Sequence, residues 1–290
     1  MSSSPPGTVR FVGAGPGDPA LLTVRADSLL RTARVILHDD LVASEILALA
    51  SPEAVVLNVG KRCGAKRITQ SDINALMIGF ARRGADVIRL KSGDPAIFGR
   101  LAEEIDALSA AGISFEIVPG VSAGLAAAAS LGISLTDRRL SSRVVFASAH
   151  RAPASQSEVA EDADWRGLAR EDATLVIYMP GRDIAHLQRE LLNAGLAPDT
   201  PAIIVSRAST PSQREHRATL STLSSSPAFD APSILLIGRA VAQKTARDSQ
   251  QIDPAAATSS AWEEFLELLA PGLAPLAAET PRLEERTNSR

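Results

Sequence analysis

The tripeptide Gly-Asp-Pro occurs twice in the N-terminal half of the chain, each time between a strand-like run and a helix-like run. The first copy, Gly17–Pro19, follows the strand-like run Val9–Val12. The second copy, Gly93–Pro95, follows Asp86–Leu90. Such a turn opens backbone N–H and C=O groups to a ligand, because glycine allows close approach and proline fixes the turn. Two copies at equivalent junctions predict a ligand-binding cleft in an α/β fold.

Strand-like and helix-like runs alternate over residues 8–120. The sequence predicts strands at Val9–Val12, Arg34–Leu37, Ala54–Leu57, Asp86–Leu90 and Ser114–Val118. It predicts helices at Leu21–Thr32, Ser44–Ala50, Gln70–Arg83 and Ile97–Ala111, and a small-residue helix at Leu125–Leu131. This alternation is typical of a mostly parallel sheet with helices on its faces.

A second set of elements begins after residue 136. It comprises a helix at Asp183–Ala194 and strands at Arg143–Ser148, Ala173–Met179, Ala202–Arg207, His216–Leu220 and Ser233–Ile237. The strand at His216–Leu220 follows its predecessor closely enough to pair with it antiparallel, which predicts a mixed sheet in this half.

These patterns divide the chain into four parts. We expect a flexible N-terminus at 1–7, an N-terminal α/β domain at 8–136, a C-terminal α/β domain at 137–246 and a flexible tail at 247–290. The tail is rich in Ala, Pro and Ser, as in disordered segments. Within it, apolar side chains at helical spacing predict a short amphipathic helix: Trp262, Phe265, Leu266 and Leu269.

Composition narrows the classes of function. A net charge of −3 and only 3% aromatic residues argue against nucleic-acid binding. A single cysteine, Cys63, excludes an intramolecular disulfide and a thiolate metal centre, and four scattered histidines argue against zinc, so we expect no metal. The sequence offers neither a signal peptide nor an apolar run of membrane-spanning length, and we expect a cytoplasmic protein without membrane contact.

The glycines and charges allow more than one interpretation. The loop Gly13–Gly17 reads GxGxG rather than GxGxxG, and its prolines remove N–H donors, which argues against a dinucleotide site. Asp39 and Asp40 follow one predicted strand, and a basic cluster, Lys61–Arg67, follows the next. Such charges are often only a solvated surface. Their position at the carboxyl edge of the sheet also suits an anionic substrate, and both interpretations stay open.

Taken together, these segments resemble the tetrapyrrole (corrin/porphyrin) methyltransferases. The resemblance runs from about Val9 to Val241 and rests on Val12–Pro19 with Leu22-Thr23, His38–Val42, Val59–Arg62, Gln70–Asn74, Arg89–Arg100, Val118–Gly120, Gly132–Thr136 and Thr174–Met179. It implies two α/β domains with a cofactor cleft between them, S-adenosylmethionine (SAM) as the methyl donor, and a homodimer.

The resemblance also implies an activity. We expect methyl transfer from SAM to C-2 and C-7 of uroporphyrinogen III, giving precorrin-2, a precursor of sirohaem, cobalamin and haem d1. Three alternatives on the same fold remain: a methyltransferase of a later precorrin, a non-catalytic regulator that binds SAM or a tetrapyrrole, and a ribose methyltransferase of RNA. Because the body begins near residue 8, we expect a free-standing methyltransferase.

Site residues follow from matching positions in the family pattern. The resemblance gives SAM contacts to Pro16, Ser92, Gly93, Asp94, Ile97, Ser122, Ala123, Met179 and Ala208. It makes Asp39 a proton acceptor, Lys61 a proton donor, and Arg100 and Glu103 residues that orient substrate or assist proton removal. Uroporphyrinogen carries eight carboxylates, for which basic side chains are suitable partners. The candidates for substrate binding are Arg62, Lys66, Arg67 and Arg151.

Five positions depart from the family pattern, and one of them is His38, which stands where a tyrosine is usual. Ser92 stands where a glycine is usual, and Asp40 replaces a basic residue beside the expected proton acceptor. Asp137 replaces a histidine, and Ala208 replaces a glycine of the second cofactor loop. None of these departures removes an expected catalytic group, but they leave the exact substrate open.

Overall fold

Two five-stranded sheets organise the part of the chain that the computed structural model describes, residues 5–60, 68–149, 165–181 and 183–242. Both sheets belong to one compact unit, Met1–Gln243. The first sheet is parallel throughout, with strand order β3-β2-β4-β1-β5. Its strands are β1 (Val9–Gly13), β2 (Val35–His38), β3 (Val55–Asn58), β4 (Val87–Lys91) and β5 (Phe115–Val118).

Helices cover both faces of this first sheet, as the alternating pattern predicts. They are α1 (Val24–Thr32), α2 (Ser44–Leu47), α3 (Gln70–Arg82) and α4 (Leu101–Ala110). The apolar side chains of α1 and α2 pack on one face, and those of α3 and α4 pack on the other. Helix α3 begins with a capping box, in which the side chains of Thr69 and Asp72 bind each other's backbone N–H groups.

The second sheet is mixed, with strand order β6-β7-β10-β8-β9. Its strands are β6 (Arg143–Ser148), β7 (Ala173–Tyr178), β8 (Pro201–Ser206), β9 (Arg214–Thr219) and β10 (Ser233–Ile237). Strands β6 and β7 are parallel, whereas β8 pairs antiparallel with β9, which confirms the predicted antiparallel pair. Helix α5 (Ala123–Leu131) packs on one face and α6 (Ile184–Asn193) on the other.

Two helices begin several residues later than their sequence patterns predict, and the first of them is α1, which starts at Val24 and not at Leu21. The apolar spacing suggests a helix from Ile97, but α4 starts at Leu101. Phe98 and Arg100 have positive φ values of 53° and 55°, a left-handed conformation that cannot continue a right-handed helix. The segment from Asp94 to Arg100 is therefore a loop, which leaves it free to take part in a site.

The predicted domain boundaries stay a prediction, although the first sheet lies within 8–136 and the second within 137–246. Gly7, placed by the prediction in a flexible N-terminus, is buried, and its N–H donates to the Ala81 carbonyl at 2.8 Å. The predicted tail helix at Trp262–Leu269 lies outside the described residues. No helix in the described part is both long and apolar enough to cross a membrane.

The packing of α5 leads to a prediction about two helical glycines. A Cβ on Gly124 would lie 2.5 Å from Val176 Cγ1 and 2.7 Å from Tyr178 Oη, so Gly124→Ala should overpack the core and lower the free energy of unfolding by about 1–2 kcal/mol. The matched variant Gly79→Ala meets open space in α3 and should raise it by about 0.5–1 kcal/mol. Urea denaturation measures both, and a loss of stability in Gly79→Ala equal to that in Gly124→Ala would contradict this packing.

Candidate functional site

The two Gly-Asp-Pro loops lie side by side and bind each other. The Gly15 N–H donates to the Gly93 carbonyl at 3.1 Å, and the Gly93 N–H donates to the Gly15 carbonyl at 2.8 Å. Both glycines have positive φ, 67° and 68°, the conformation that glycine adopts without steric cost. The loops meet because β1 and β4, which precede them, are adjacent and parallel. The two copies of the repeated tripeptide thus belong to loops that are in direct contact.

A third loop, after β5, joins this contact. The Asp94 carboxylate accepts hydrogen bonds from the N–H of Gly120 at 3.0 Å and from that of Ala96 at 2.8 Å. A Cβ on Gly120 would lie 2.4 Å from the Gly93 carbonyl oxygen, and one on Gly13 would lie 2.6 Å from Gly120 Cα. Backbones this close leave no room for a side chain. The glycine spacing therefore serves the packing of three loops at the carboxyl edge of the sheet.

Tyr178, the chain's one tyrosine, connects the second sheet to the start of α5. Its hydroxyl shares a 2.7 Å hydrogen bond with Ser122 Oγ and accepts another from the Gly124 N–H at 3.0 Å. The next residue, Met179, has a φ of 50° and is 47% exposed. Tyr178 therefore fixes the predicted cofactor contacts at Ser122 and Met179 relative to each other, and the Phe98 ring packs on it at 4.9 Å.

The turn after β8 completes the set of loops. Ala208 is buried in the apolar cluster against which Ile97 and Ala123 also pack. Thr210 lies in this turn, and a Cβ on Gly17 would be 2.9 Å from its Cγ2 atom. The first Gly-Asp-Pro loop therefore packs against the turn after β8. The structure brings the predicted cofactor residues into one region, with Pro16 in the Gly15–Gly17 loop and Ser92 half-buried beside Gly93.

Asp39, the expected proton acceptor, belongs to a network of four charged side chains. Its Oδ1 accepts a 2.5 Å hydrogen bond from Arg89 Nη2. The Nε of Arg89 donates to Glu104 Oε1 at 3.0 Å, and Lys91 Nζ donates to Glu104 Oε2 at 2.7 Å. Glu104 is fully buried, as are Arg89 and Lys91 to within 2%, whereas the Asp39 side chain remains 31% exposed. The network thus runs from the core to the surface at Asp39.

Sequence reasoning did not assign a role to Arg89, Lys91 or Glu104. A signal was present, since Arg89 and Lys91 alternate on one face of β4, a strand that the alternating pattern places inside a parallel sheet. Charges on a buried strand must be paired. A helix that covers this strand therefore had to supply an anionic side chain. Burial and the neighbouring Arg89 charge lower the pKa of Lys91 below its ordinary value, against the opposing effects of Glu104 and Asp39.

Arg100 and Glu103 form a second, exposed pair at the start of α4. Arg100 Nε donates to Glu103 Oε1 at 2.7 Å and Nη2 donates to Oε2 at 2.6 Å, a bidentate contact. The hydrogen bond to Glu103 raises the pKa of Arg100 above its ordinary value. Adjacent residues of one helix therefore serve different surfaces, since Glu103 faces outward and Glu104 faces the core.

The structure shows the surroundings of two further positions that depart from the family pattern, Asp40 and Asp137. Asp40 lies against Gly60, where an added Cβ would be 2.3 Å from the Asp40 carboxyl carbon. Asp137 bonds the Arg139 side chain at 2.8 Å, which lowers the pKa of that carboxyl to about 2. The predicted basic residues fall outside the described part of the chain: Lys61, Arg62, Lys66, Arg67 and Arg151.

A separate cavity of about 390 Å³ lies at the opposite end of the second sheet, near the start of β7 and β8. Its lining includes Leu140, Thr200 and Gly238, and the predicted site residues are not part of it. Within residues 5–60, 68–149, 165–181 and 183–242, no group of three His, Cys, Asp or Glu side chains is placed to hold a metal ion.

Comparison with known proteins identifies the family. Residues 8–224 match the model of the tetrapyrrole (corrin/porphyrin) methylases. Uroporphyrinogen-III C-methyltransferase of Synechocystis is 40% identical over 251 residues, which are 86% of this chain and 94% of that protein. A siroheme synthase of Psychromonas ingrahamii is also 40% identical, and there the match spans 81% of this chain but only 49% of the relative.

A solved structure shares the architecture. Uroporphyrin-III C-methyltransferase of Thermus thermophilus, in complex with S-adenosylhomocysteine (SAH), superposes with a TM-score of 0.70 at 37% identity, covering 81% of this chain and 99% of that one. This likeness confirms the predicted α/β fold. With three quarters of its length inside the family match, the chain belongs to the tetrapyrrole (corrin/porphyrin) methylase family.

Proposed function

We propose that this chain is a SAM-dependent C-methyltransferase that converts uroporphyrinogen III to precorrin-2 by methylation at C-2 and C-7. The observation that carries the proposal is the mutual binding of the two Gly-Asp-Pro loops through Gly15 and Gly93. It supports a cofactor site at the loops that the sequence resemblance assigns to SAM. The Synechocystis and Thermus relatives, with the same named activity and substrate, support the choice of reaction.

The residues present suit a SAM molecule. The close backbone packing of Gly13, Gly93 and Gly120 brings the loops that carry Ser92 and Ser122 together, and exposed Met179 offers a flexible apolar side chain on the neighbouring strand end. We assign SAM contacts to Pro16, Ser92, Gly93, Asp94, Ile97, Ser122, Ala123, Met179 and Ala208. Bound there, SAM would supply an electrophilic methyl group on a sulfonium ion.

The protein's task in such a reaction is mainly alignment. A pyrrole carbon of uroporphyrinogen supplies the electron pair for the new C–C bond, while the methyl–sulfur bond breaks and its electrons stay on sulfur. Holding the two reactants in line is worth several orders of magnitude in rate. The macrocycle then carries a positive charge and must lose a proton. We assign acceptance of that proton to Asp39, whose carboxylate is anchored by Arg89 and partly exposed.

Other side chains complete the proposed site. Lys61 is the proposed proton donor. We assign orientation of the substrate, or assistance in proton removal, to the exposed pair Arg100–Glu103. We assign the carboxylates of the macrocycle to a group of basic side chains, which bind carboxylates through charge-assisted hydrogen bonds. The group comprises Arg62, Lys66, Arg67 and Arg151.

We also propose a homodimer in the cytoplasm. Exposed apolar side chains on β5 and at the start of α5 support self-association, because such surface is usually covered in a partner contact. They are Phe115, Ile117 and Leu125, between 38% and 49% exposed. A single cysteine in 290 residues suits a reducing compartment.

The proposed activity is tested with purified protein, SAM and uroporphyrinogen III under anaerobic conditions. We expect mass spectrometry to find a product with two added methyl groups, and NMR to place them at C-2 and C-7. Unchanged substrate in the presence of folded, SAM-binding protein would contradict the proposal. Methyl groups at other carbons would indicate a methyltransferase of a different step.

The cofactor assignment leads to a prediction about Gly120. Gly120→Ala would place a Cβ 2.4 Å from the Gly93 carbonyl oxygen and push the three loops apart. Overpacking of this kind costs about 1–3 kcal/mol, so we expect SAH affinity, measured by calorimetry, to fall by about tenfold or more. Gly79→Ala, in open space on α3, is the control and should keep the wild-type affinity. Equal affinities for all three proteins would contradict the assignment.

The proton-transfer role leads to a prediction about Asp39. Asp39→Asn keeps the shape of the side chain but removes its capacity to accept a proton, so we expect kcat to fall by about 10²–10⁴-fold with SAH affinity unchanged. Asp40→Asn makes the same change at the next residue and should leave kcat close to that of the wild type. Comparable losses in both variants would show that the acidic turn, and not Asp39 itself, is needed.

A further inference from the structure

All three guanidinium nitrogens of Arg89 donate hydrogen bonds. Its Nε binds Glu104 at 3.0 Å and its Nη2 binds Asp39 at 2.5 Å. Its Nη1 donates to the carbonyls of Leu37 at 3.3 Å and Leu90 at 3.4 Å. A planar group with this many partners has one orientation available. Arg89 is therefore a rigid connection between a buried carboxylate and the partly exposed one at Asp39.

Glu104 fixes the other end of this connection. It is fully buried on α4 and accepts hydrogen bonds from Arg89, from Lys91 at 2.7 Å and from Gln70 Nε2 at 3.2 Å. The four charges of Arg89, Lys91, Asp39 and Glu104 sum to zero. Three of the four lie in the core, where an unpaired charge is strongly unfavourable. The network can hold its arrangement only if Asp39 stays in contact with Arg89.

Resting on the proposed function, we propose that Arg89, anchored by Glu104, is the positioning residue that orients the Asp39 carboxylate for proton removal from the methylated macrocycle. Methylation leaves a positively charged macrocycle from which a proton departs readily, so a carboxylate suffices as the base. What the reaction requires is that this carboxylate be correctly placed, and the fixed guanidinium supplies that placement.

Two substitutions on the same face of β4 separate this role from a structural one. Arg89→Met keeps the aliphatic stem and removes the contact with Asp39. Lys91→Met removes an equally buried cation that binds the same Glu104, and serves as the matched control. We expect Arg89→Met to lower kcat for uroporphyrinogen III by about 10²-fold or more, the range of a lost proton-transfer group, with KM and SAH affinity unchanged. Lys91→Met leaves Arg89 in contact with both carboxylates, and we therefore expect it to lower kcat much less than Arg89→Met does.

A double-variant cycle provides a readout that general loss of stability would not imitate. If Arg89 acts through Asp39, the Asp39→Asn/Arg89→Met double variant should be no slower than Asp39→Asn alone. Losses that multiply in the double variant would overturn the proposal, as would wild-type turnover by Arg89→Met. A parallel loss of SAH affinity and kcat would also overturn it, because that pattern marks a structural role.

If Arg89→Met does not fold, Arg89→Lys replaces it. A lysine keeps the buried charge, but its ammonium group lacks the planar set of N–H donors with which Arg89 bridges Glu104 and Asp39. We therefore expect kcat still to fall. Crystal structures of the wild type and the variant test the positioning apart from the reaction: the Asp39 carboxylate should leave its wild-type position in the variant. An unmoved carboxylate would contradict the inference. A wild type that binds SAH but does not methylate uroporphyrinogen III contradicts the proposed function alone.

Discussion

Backbone contact among Gly13, Gly93 and Gly120 is the constraint on which the rest of the site depends. Each of these glycines follows or ends a strand of the parallel sheet, and β1, β4 and β5 are neighbours in it. A Cβ at Gly120 would come within 2.4 Å of the Gly93 carbonyl oxygen, so the loops approach as closely as bare backbone allows. This contact helps to set where α5 begins, because the helix starts only three residues after Gly120, at Ala123. Through Tyr178 it also sets the position of the second sheet's Met179.

A second constraint is electrostatic. Arg89 and Lys91 lie inside the sheet and require an anion, which α4 supplies as Glu104. Buried ion networks of this kind contribute little net stability, since desolvation offsets the attraction between the charges. Their value lies in fixing geometry, and here the geometry ends at Asp39, the one member of the network that is substantially exposed. The carboxyl edge of the first sheet thus carries both the closely packed glycine loops and a fixed carboxylate.

Much of the fold could be predicted because local pattern and global structure agree. The alternating strand and helix runs predicted the parallel sheet, and the short separation of β8 and β9 predicted their antiparallel pairing. The start of α4 was predicted wrongly because the apolar spacing continues through Ile97, whereas the positive φ values at Phe98 and Arg100 depend on contacts distant in sequence. Among those contacts is the packing of Phe98 on Tyr178, which belongs to the other sheet.

The candidate site shows the same division. A repeated tripeptide marked both Gly-Asp-Pro loops of the candidate site, because Gly, Asp and Pro have strong local preferences for turn conformations. That these loops bind each other depends on strand order, which alternation alone does not reveal. The partners of Asp39 were equally hidden, since Arg89 lies 50 residues away and Glu104 is a further 15 residues along the chain. Only the charged pair on a buried strand hinted that an internal anion must exist.

The measurement that tests the account most directly is a crystal structure of the full chain with SAH. The account predicts SAH where the two Gly-Asp-Pro loops meet, in contact with the proposed cofactor residues: Pro16, Ser92, Gly93, Asp94, Ile97, Ser122, Ala123, Met179 and Ala208. Asp39 should remain bound to Arg89 and face the space beside the sulfur atom. SAH bound away from these loops, for example in the cavity near Leu140 and Thr200 at the opposite end of the second sheet, would contradict the account.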